Sequence, residues 1–121
     1  MDELVRWLGE ILDTDEEWAR AAAEEYGSVW TANVRMQVVT SDTGADIVTE
    51  PFTPLDHIAE YDPARVLREI DAKRELLRLA ERAHDYHETF TSGFASALEG
   101  TLRLFALAYA DRPGYREEWR P

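Results

Sequence analysis

Four side chains suited to metal binding follow one another on one predicted helix. Glu81, His84, His87 and Glu88 fall at positions i, i+3, i+6 and i+7. The Glu-x-x-His spacing of Glu81 and His84 is the spacing by which helical carboxylate sites hold iron or manganese. Sites of that kind take ligands from several helices, whereas this chain has one such motif. The alternative is a set of solvated side chains near a helix C-terminus, so we expect no cofactor and keep the metal site as a rival hypothesis.

His57 is the second residue with a chemical interpretation. Its imidazole could act as a general base if the carboxylate of Asp56 or Asp62 oriented it. The sequence has no paired nucleophile, glycine-rich phosphate loop or G-x-S-x-G motif to accompany it. The structural alternative makes His57 a contact between a short helix and the long helix that follows. We assign no catalytic residue and favour a protein that is not an enzyme.

Acidic residues dominate the charge of the chain. Twenty-five Asp and Glu against thirteen Lys and Arg give a formal net charge of -12. A surface of that sign disfavours membranes and nucleic acid as partners. One acidic face of the first helix could imitate a phosphate backbone and so bind a basic site on a DNA-binding or defence protein. Its carboxylates belong to Glu16, Glu17, Glu24 and Glu25. The alternative is a helix surface that only keeps the protein in solution.

Apolar residues near the C-terminus are the candidate protein contacts. The segment 102–110 is apolar nearly all round except Arg103, which is typical of a helix in a core or an interface. We predict a homodimer through the hairpin edge or the last helix, since two-fold pairing is the commonest way to cover such surfaces. The candidate anchors are Phe94, Leu98, Phe105, Tyr115 and Trp119. The alternative is that the helical stripes pack on one another and the tail packs on its own domain.

The helices and strands that carry these residues are predicted from the sequence pattern, and together they make an α+β fold, mostly α. The first helix has one apolar stripe at near-helical spacing, which should be buried. The stripe consists of Leu4, Leu8, Ile11, Trp18 and Ala22. Apolar residues then alternate from Trp30 to Val38, which predicts a strand, and the turn formers of 41–44 lead into a second strand. Asp62-Pro63 is a start signal for a long helix.

The predicted architecture has three or four helices, with one β-hairpin between the first and second helices. A chain of 121 residues fits a single domain, 1–121. The predicted order is helix 2–26, β-hairpin 29–50, short helix 54–61, long helix 63–88, helix 90–110 and C-terminal tail 111–121.

Composition also sets expectations about location. The sequence has no cysteine, which excludes disulfide frameworks and thiolate zinc sites. Residues 1–6 are acidic where a signal peptide would be basic, and no apolar run approaches the ~20 residues of a membrane span. We expect a soluble, cytoplasmic protein that does not bind membranes.

Two long blocks of the sequence carry a family resemblance. The first is HIAEYDPARVLREIDAKR at 57–74, and the second is LRL at 102–104 with YADRPGYREEWRP at 109–121. Both resemble a family of small actinobacterial and actinophage proteins known only as a domain of unknown function, number 6221. The first block contains His57, Asp62, Pro63 and Arg65. The resemblance implies no activity, cofactor or catalytic residue. Relatives have a Cys/His loop that resembles a metal knuckle, but residues 84–100 here contain no cysteine, so its thiolates cannot be carried over.

The sequence therefore favours a small, acidic, non-enzymatic protein-interaction module of actinobacteria or their phages. One alternative is an anionic, DNA-mimic-like inhibitor or phage counter-defence protein. The other is a metal-dependent enzyme or metal-binding protein that uses the Glu/His helix site. The protein partner cannot be named from the sequence.

Overall fold

A computed structural model shows the fold and describes residues 1–50, 54–85 and 92–121. The described residues form four α-helices and a three-stranded antiparallel sheet that lies between the first two helices along the chain. The α-helices are α1 (Asp2–Tyr26), α2 (Leu55–Glu60), α3 (Pro63–Asp85) and α4 (Ser92–Leu107). The strands are β1 (Trp30–Asn33), β2 (Val38–Ser41) and β3 (Asp46–Val48), and a short 3-10 helix spans Glu117–Trp119. The predicted α+β class, mostly α, is confirmed.

The sheet has one strand more than the hairpin that the sequence predicted. Its order is β1-β2-β3, with Trp30 opposite Ser41 and Asn33 opposite Val38. A turn at residues 34–37 interrupts the apolar alternation because the Asn33 side chain accepts a hydrogen bond from the Met36 amide at 3.0 Å. Such a local side-chain bond competes with the strand ladder. The single strand predicted from Trp30 to Val38 was therefore wrong, and Met36 at the turn is 66% exposed.

The described helix ends agree with the prediction for α1 and for the start of α3, and differ at both ends of α2 and at the end of α4. Helix α1 has the predicted bounds, and α3 begins at Pro63 as predicted. Helix α4 ends at Leu107 rather than at 110, because the next amides bond three residues back and tighten the chain into turns. The predicted ends at 88 and 90 lie outside the described residues. Among the helices that the structure describes, none is long and apolar enough to cross a membrane.

The chain forms two compact units. We call residues 1–13 and 72–121 the terminal unit, and residues 14–71 the sheet unit. Helices α1 and α3 each contribute residues to both units, whereas the whole sheet and α2 belong to the sheet unit.

Asp62 organises the start of α3 in the sheet unit. Its Oδ1 accepts a hydrogen bond from the Arg65 amide at 2.8 Å, which is the bond of a helix N-cap. Its Oδ2 accepts one from the Trp30 amide of β1 at 3.0 Å. The Ala64 amide donates to the Ser28 carbonyl, and Pro63 has no amide hydrogen to satisfy. One buried carboxylate therefore joins the first strand to the long helix.

Gly27 ends α1 and lies against the turn between β2 and β3. Its φ of 93° is in the left-handed region, which favours glycine at a helix C-terminus. The Thr43 hydroxyl donates to the Tyr26 carbonyl at 3.2 Å, and the Gly27 carbonyl accepts a bond from the Trp30 indole at 2.9 Å. The chain therefore reverses from helix to strand in a closely bonded corner.

Trp7 is the centre of the terminal unit's C-terminal packing. Its indole donates to the Pro113 carbonyl at 2.8 Å, and its ring centroid lies 5.7 Å from that of Tyr115 and 5.4 Å from that of Trp119. These distances are typical of stabilising aromatic pairs. Gly114, with φ of 90°, passes so close to Trp7 that a Cβ there would lie 2.8 Å from Nε1. The tail is thus packed on α1 of its own unit.

Tyr115→Phe should leave the free energy of unfolding unchanged or raise it by about 1 kcal/mol. The Tyr115 hydroxyl oxygen is buried and has no hydrogen-bond partner among the described residues. Burial of an unpaired hydroxyl costs free energy, and phenylalanine keeps the ring contacts to Trp7 and Trp119 without that cost. Urea denaturation of both proteins measures the difference. A clear loss of stability in the variant would show that the hydroxyl has a partner in solution.

Candidate functional site

An apolar hollow in the sheet unit, which we call the aromatic groove, is the candidate site. Its volume is about 190 Å³. It is lined by Asp15, Trp18, Ala19, Ala22, Trp30, Tyr61, Pro63 and Val66. All of these residues belong to the sheet unit, and five of the eight are larger than alanine and carry no charge.

Local helix geometry explains why these side chains meet. Asp15, Trp18 and Ala22 are three and four residues apart on α1, so they share one face of the helix. The other wall comes from Tyr61, Pro63 and Val66, around the start of α3. The indole and the backbone amide of Trp30 are both hydrogen-bonded, to Gly27 and Asp62. Trp30 is therefore held in the groove by two hydrogen bonds.

Two large aromatic side chains of the groove remain open to solvent. Trp18 is 61% exposed and Tyr61 is 50% exposed. The sequence placed Trp18 in the buried stripe of the first helix, and this prediction was wrong. The buried residue at this level of α1 is Ala19, 7% exposed and about 100° further round the helix. The spacing carries no signal of this shift, because residues seven apart, such as Ile11 and Trp18, fall on nearly the same face of a helix.

Tyr61 is held in place by its helical neighbours. The His57 ring centroid lies 4.8 Å from that of Tyr61, and the guanidinium carbon of Arg65 lies 4.6 Å from the same ring. Arg65 in turn pairs with Glu69 at 2.9 Å and with Glu60 at 2.5 Å. The hydrogen bond to Glu69, followed by the nearby negative charges, raises the pKa of Arg65 above its usual value. Arg65 therefore positions the ring while its charge is balanced by two carboxylates.

The same contacts bear on the hypothesis of a base at His57. His57 is exposed and packs on Tyr61. Both carboxylate oxygens of Asp62 accept backbone hydrogen bonds, so this residue serves the start of α3. The ring contact of His57 is with Tyr61, directly after its own helix, and Asp56 lies exposed in the first turn of α2.

The family of the chain follows from a comparison of its sequence with family models. The model of a family of unknown function, DUF6221, matches residues 1–121. The chain belongs to the DUF6221 family. Comparisons with curated proteins and with solved structures each found no match. In this DUF6221 chain the block 57–74 supplies Tyr61, Pro63 and Val66 to the aromatic groove.

Negative charge is concentrated in the sheet unit of this DUF6221 chain. Thirteen acidic and four basic residues give residues 14–71 a formal charge of -9, and twelve acidic and nine basic residues give the terminal unit -3. On the predicted acidic face, Glu17, Glu24 and Glu25 are exposed. Glu16 is half-buried and pairs with Arg20 at 3.4 Å.

The predicted metal ligands are only partly within the described residues. His87 and Glu88 lie outside them. His84 is within them only as part of the helical backbone of α3. Glu81 is exposed and lines a hollow with Val5, Leu77 and Ala80 in the terminal unit. Among the residues that the structure does describe, no group of three or more metal-binding side chains comes together.

The predicted interface anchors differ in exposure. Leu98 and Trp119 are buried within the terminal unit, and Phe105 and Tyr115 are half-buried. Phe105 packs on Tyr109, with Lys73 Nζ 5.3 Å from its ring. Phe94 is 51% exposed, which makes it the anchor best placed to meet a second copy. The homodimer stays a prediction.

Proposed function

We propose that the chain is a non-enzymatic protein-interaction module whose aromatic groove holds an apolar segment of a partner protein. The observation that carries this proposal is the exposure of Trp18 and Tyr61, 61% and 50%, on either side of one apolar hollow. Tryptophan and tyrosine are enriched at the energetic centres of interfaces because a rigid ring buries a large area with little loss of entropy. Exposed apolar surface gathered at a hollow is typical of a binding site.

The size of the expected contribution follows from area. Covering the exposed part of a tryptophan removes roughly 100–150 Å² from water, which is worth about 3 kcal/mol at most. An anchor of that strength changes a dissociation constant by about a hundredfold at the upper limit. Loss of Trp18 should therefore be visible in a binding assay even if other contacts remain.

An anionic mimic of a phosphate backbone is the second candidate, and the charge of -9 on the sheet unit supports it. A mimic binds a basic site through rows of carboxylates, so its affinity depends on salt and on Glu16, Glu17, Glu24 and Glu25. It does not depend on an apolar anchor. The Trp18→Ala variant separates the two candidates.

From the resemblance and the charge of the chain we also infer an actinobacterial or actinophage source and a cytoplasmic location.

Selection from a random peptide display library tests the interaction module. We expect peptides that bind the chain and lose at least about tenfold in affinity when Trp18 is changed to alanine. The matched control is Met36→Ala, because Met36 is exposed in the same unit and does not line the groove. Binding that Met36→Ala weakens as much as Trp18→Ala does, or the absence of any enriched peptide, would reject the proposal.

A further inference from the structure

We infer that the segment held by the aromatic groove is basic, with lysine or arginine on both sides of a short apolar centre. The inference rests on the proposed function and specifies the partner's chemistry. It commits to a protein segment and not to a nucleic acid, whose phosphates would meet the same negative surface.

The carboxylates around the groove carry the first part of the argument. Asp15 lines the groove itself. Glu25 lies seven residues after Trp18 and three after Ala22, so it shares their face of α1, and it is exposed. An incoming segment that covers Trp18 therefore passes between two acidic positions on the same helix face.

The basic residues of the sheet unit carry the second part. The unit has four of them: Arg20, Arg35, Arg65 and Arg68. Arg20 pairs with Glu16, and Arg65 pairs with both Glu60 and Glu69. These two arginines pair with carboxylates other than Asp15 and Glu25, in a unit whose net charge is -9.

The two surfaces have different physical roles in this arrangement. The apolar hollow provides affinity by covering the Trp18 and Tyr61 rings. The acidic rim selects the sign of the partner and speeds its encounter. Lysine and arginine suit both, because their aliphatic stems pack along an indole while the charged end reaches a carboxylate. Asp15 and Glu25 are then specificity-determining residues.

The test uses a short synthetic peptide with a Leu-Pro-Leu centre flanked on each side by arginine and lysine. The indole N–H signals of the full chain report where it binds. Trp18 and Trp30 lie in the sheet unit, and Trp7 and Trp119 in the terminal unit. We expect the peptide to shift the first pair and to leave the second pair in place. Trp18→Ala assigns one of the four signals by its loss.

Charge dependence decides the inference. Replacing the flanking residues of the peptide with glutamate should weaken binding at least about tenfold, and raising salt from about 0.05 to about 0.3 M should weaken the basic peptide several-fold. The double variant Asp15→Asn, Glu25→Gln should lose about fivefold in affinity and part of the salt dependence. The matched control is Asp46→Asn, Asp56→Asn, which removes the same charge from exposed positions outside the groove.

Each contrary result has a separate meaning. If a peptide with serine flanks shifts Trp18 with equal affinity, the inference is overturned and the interaction module stands. If the basic peptide leaves the Trp18 signal unchanged, the inference is also overturned, and the library selection then decides the interaction module by itself. If the two double variants lose affinity equally, Asp15 and Glu25 do not determine specificity.

Discussion

Trp7→Ala should lower the free energy of unfolding by about 3–5 kcal/mol and detach the C-terminal tail from α1. The indole is 7% exposed, donates to the Pro113 carbonyl and packs against the rings of Tyr115 and Trp119. Truncation removes all of these contacts and leaves a cavity beside two aromatic residues. Since a domain of this size has a stability of roughly 5–15 kcal/mol, the loss is a large part of the total. Urea denaturation followed by circular dichroism measures it.

Trypsin cleavage reports the detachment of the tail directly. Arg116 lies between the packed residues Tyr115 and Trp119, and we expect faster cleavage after it in the variant, because the bonds after Arg112 and Arg120 precede proline and resist trypsin. The matched control is Trp18→Ala, the same substitution at an indole that is 61% exposed, for which we expect a change of about 0.5 kcal/mol or less. Equal losses at the two positions would contradict the central role of Trp7.

Gly27→Ala is expected to have the second largest effect, in the sheet unit. The left-handed backbone at φ of 93° costs any residue with a Cβ about 1–2 kcal/mol. A Cβ at this position would also lie 2.6 Å from Oδ1 of Asp42 and 3.0 Å from Oγ of Ser41. Ser41 cannot yield easily because its Oγ accepts bonds from the Thr43 and Ala45 amides. We expect a further ~1–3 kcal/mol from this overlap.

Gly44→Ala provides the control for Gly27→Ala. Gly44 has φ of 86°, and among the described residues nothing lies within 4 Å of a Cβ built there. This variant should show the backbone cost alone. The difference between the two urea midpoints then measures the steric overlap at Gly27, and a difference near zero would mean that the corner relaxes around the added methyl group.

Local signals in the sequence predicted the parts of the fold that depend on neighbouring residues. Helix α1 ends before Gly27, and α3 begins at Pro63 after the N-cap Asp62, because caps are set within a few residues. The turn at 34–37 was missed because Asn33 stands inside an apolar alternation that reads as a strand. The hydrogen bond from the Met36 amide to the Asn33 side chain forms a turn there despite the five alternating apolar residues.

The candidate site was less predictable because its residues come from distant parts of the chain. The family resemblance identified the segment with Tyr61, and the charge pattern identified the acidic helix, yet neither showed that they border one groove. Trp18 looked like a core residue on spacing alone. Which side of an amphipathic helix is covered depends on what packs against it. That depends on segments far apart along the chain, such as those of Asp15 and Val66, which line one groove about fifty positions apart.

The double hydrogen bonding of Asp62 has a consequence for how the groove opens and closes. The amides of Trp30 and Arg65 both donate hydrogen bonds to the Asp62 carboxylate. When this side chain moves away, both amides become open to hydrogen exchange with solvent in one event. Trp30, Pro63 and Val66 all line the groove. Trp30 and the start of α3 therefore form a single cooperative unit of local folding, and a segment bound in the groove protects both from opening.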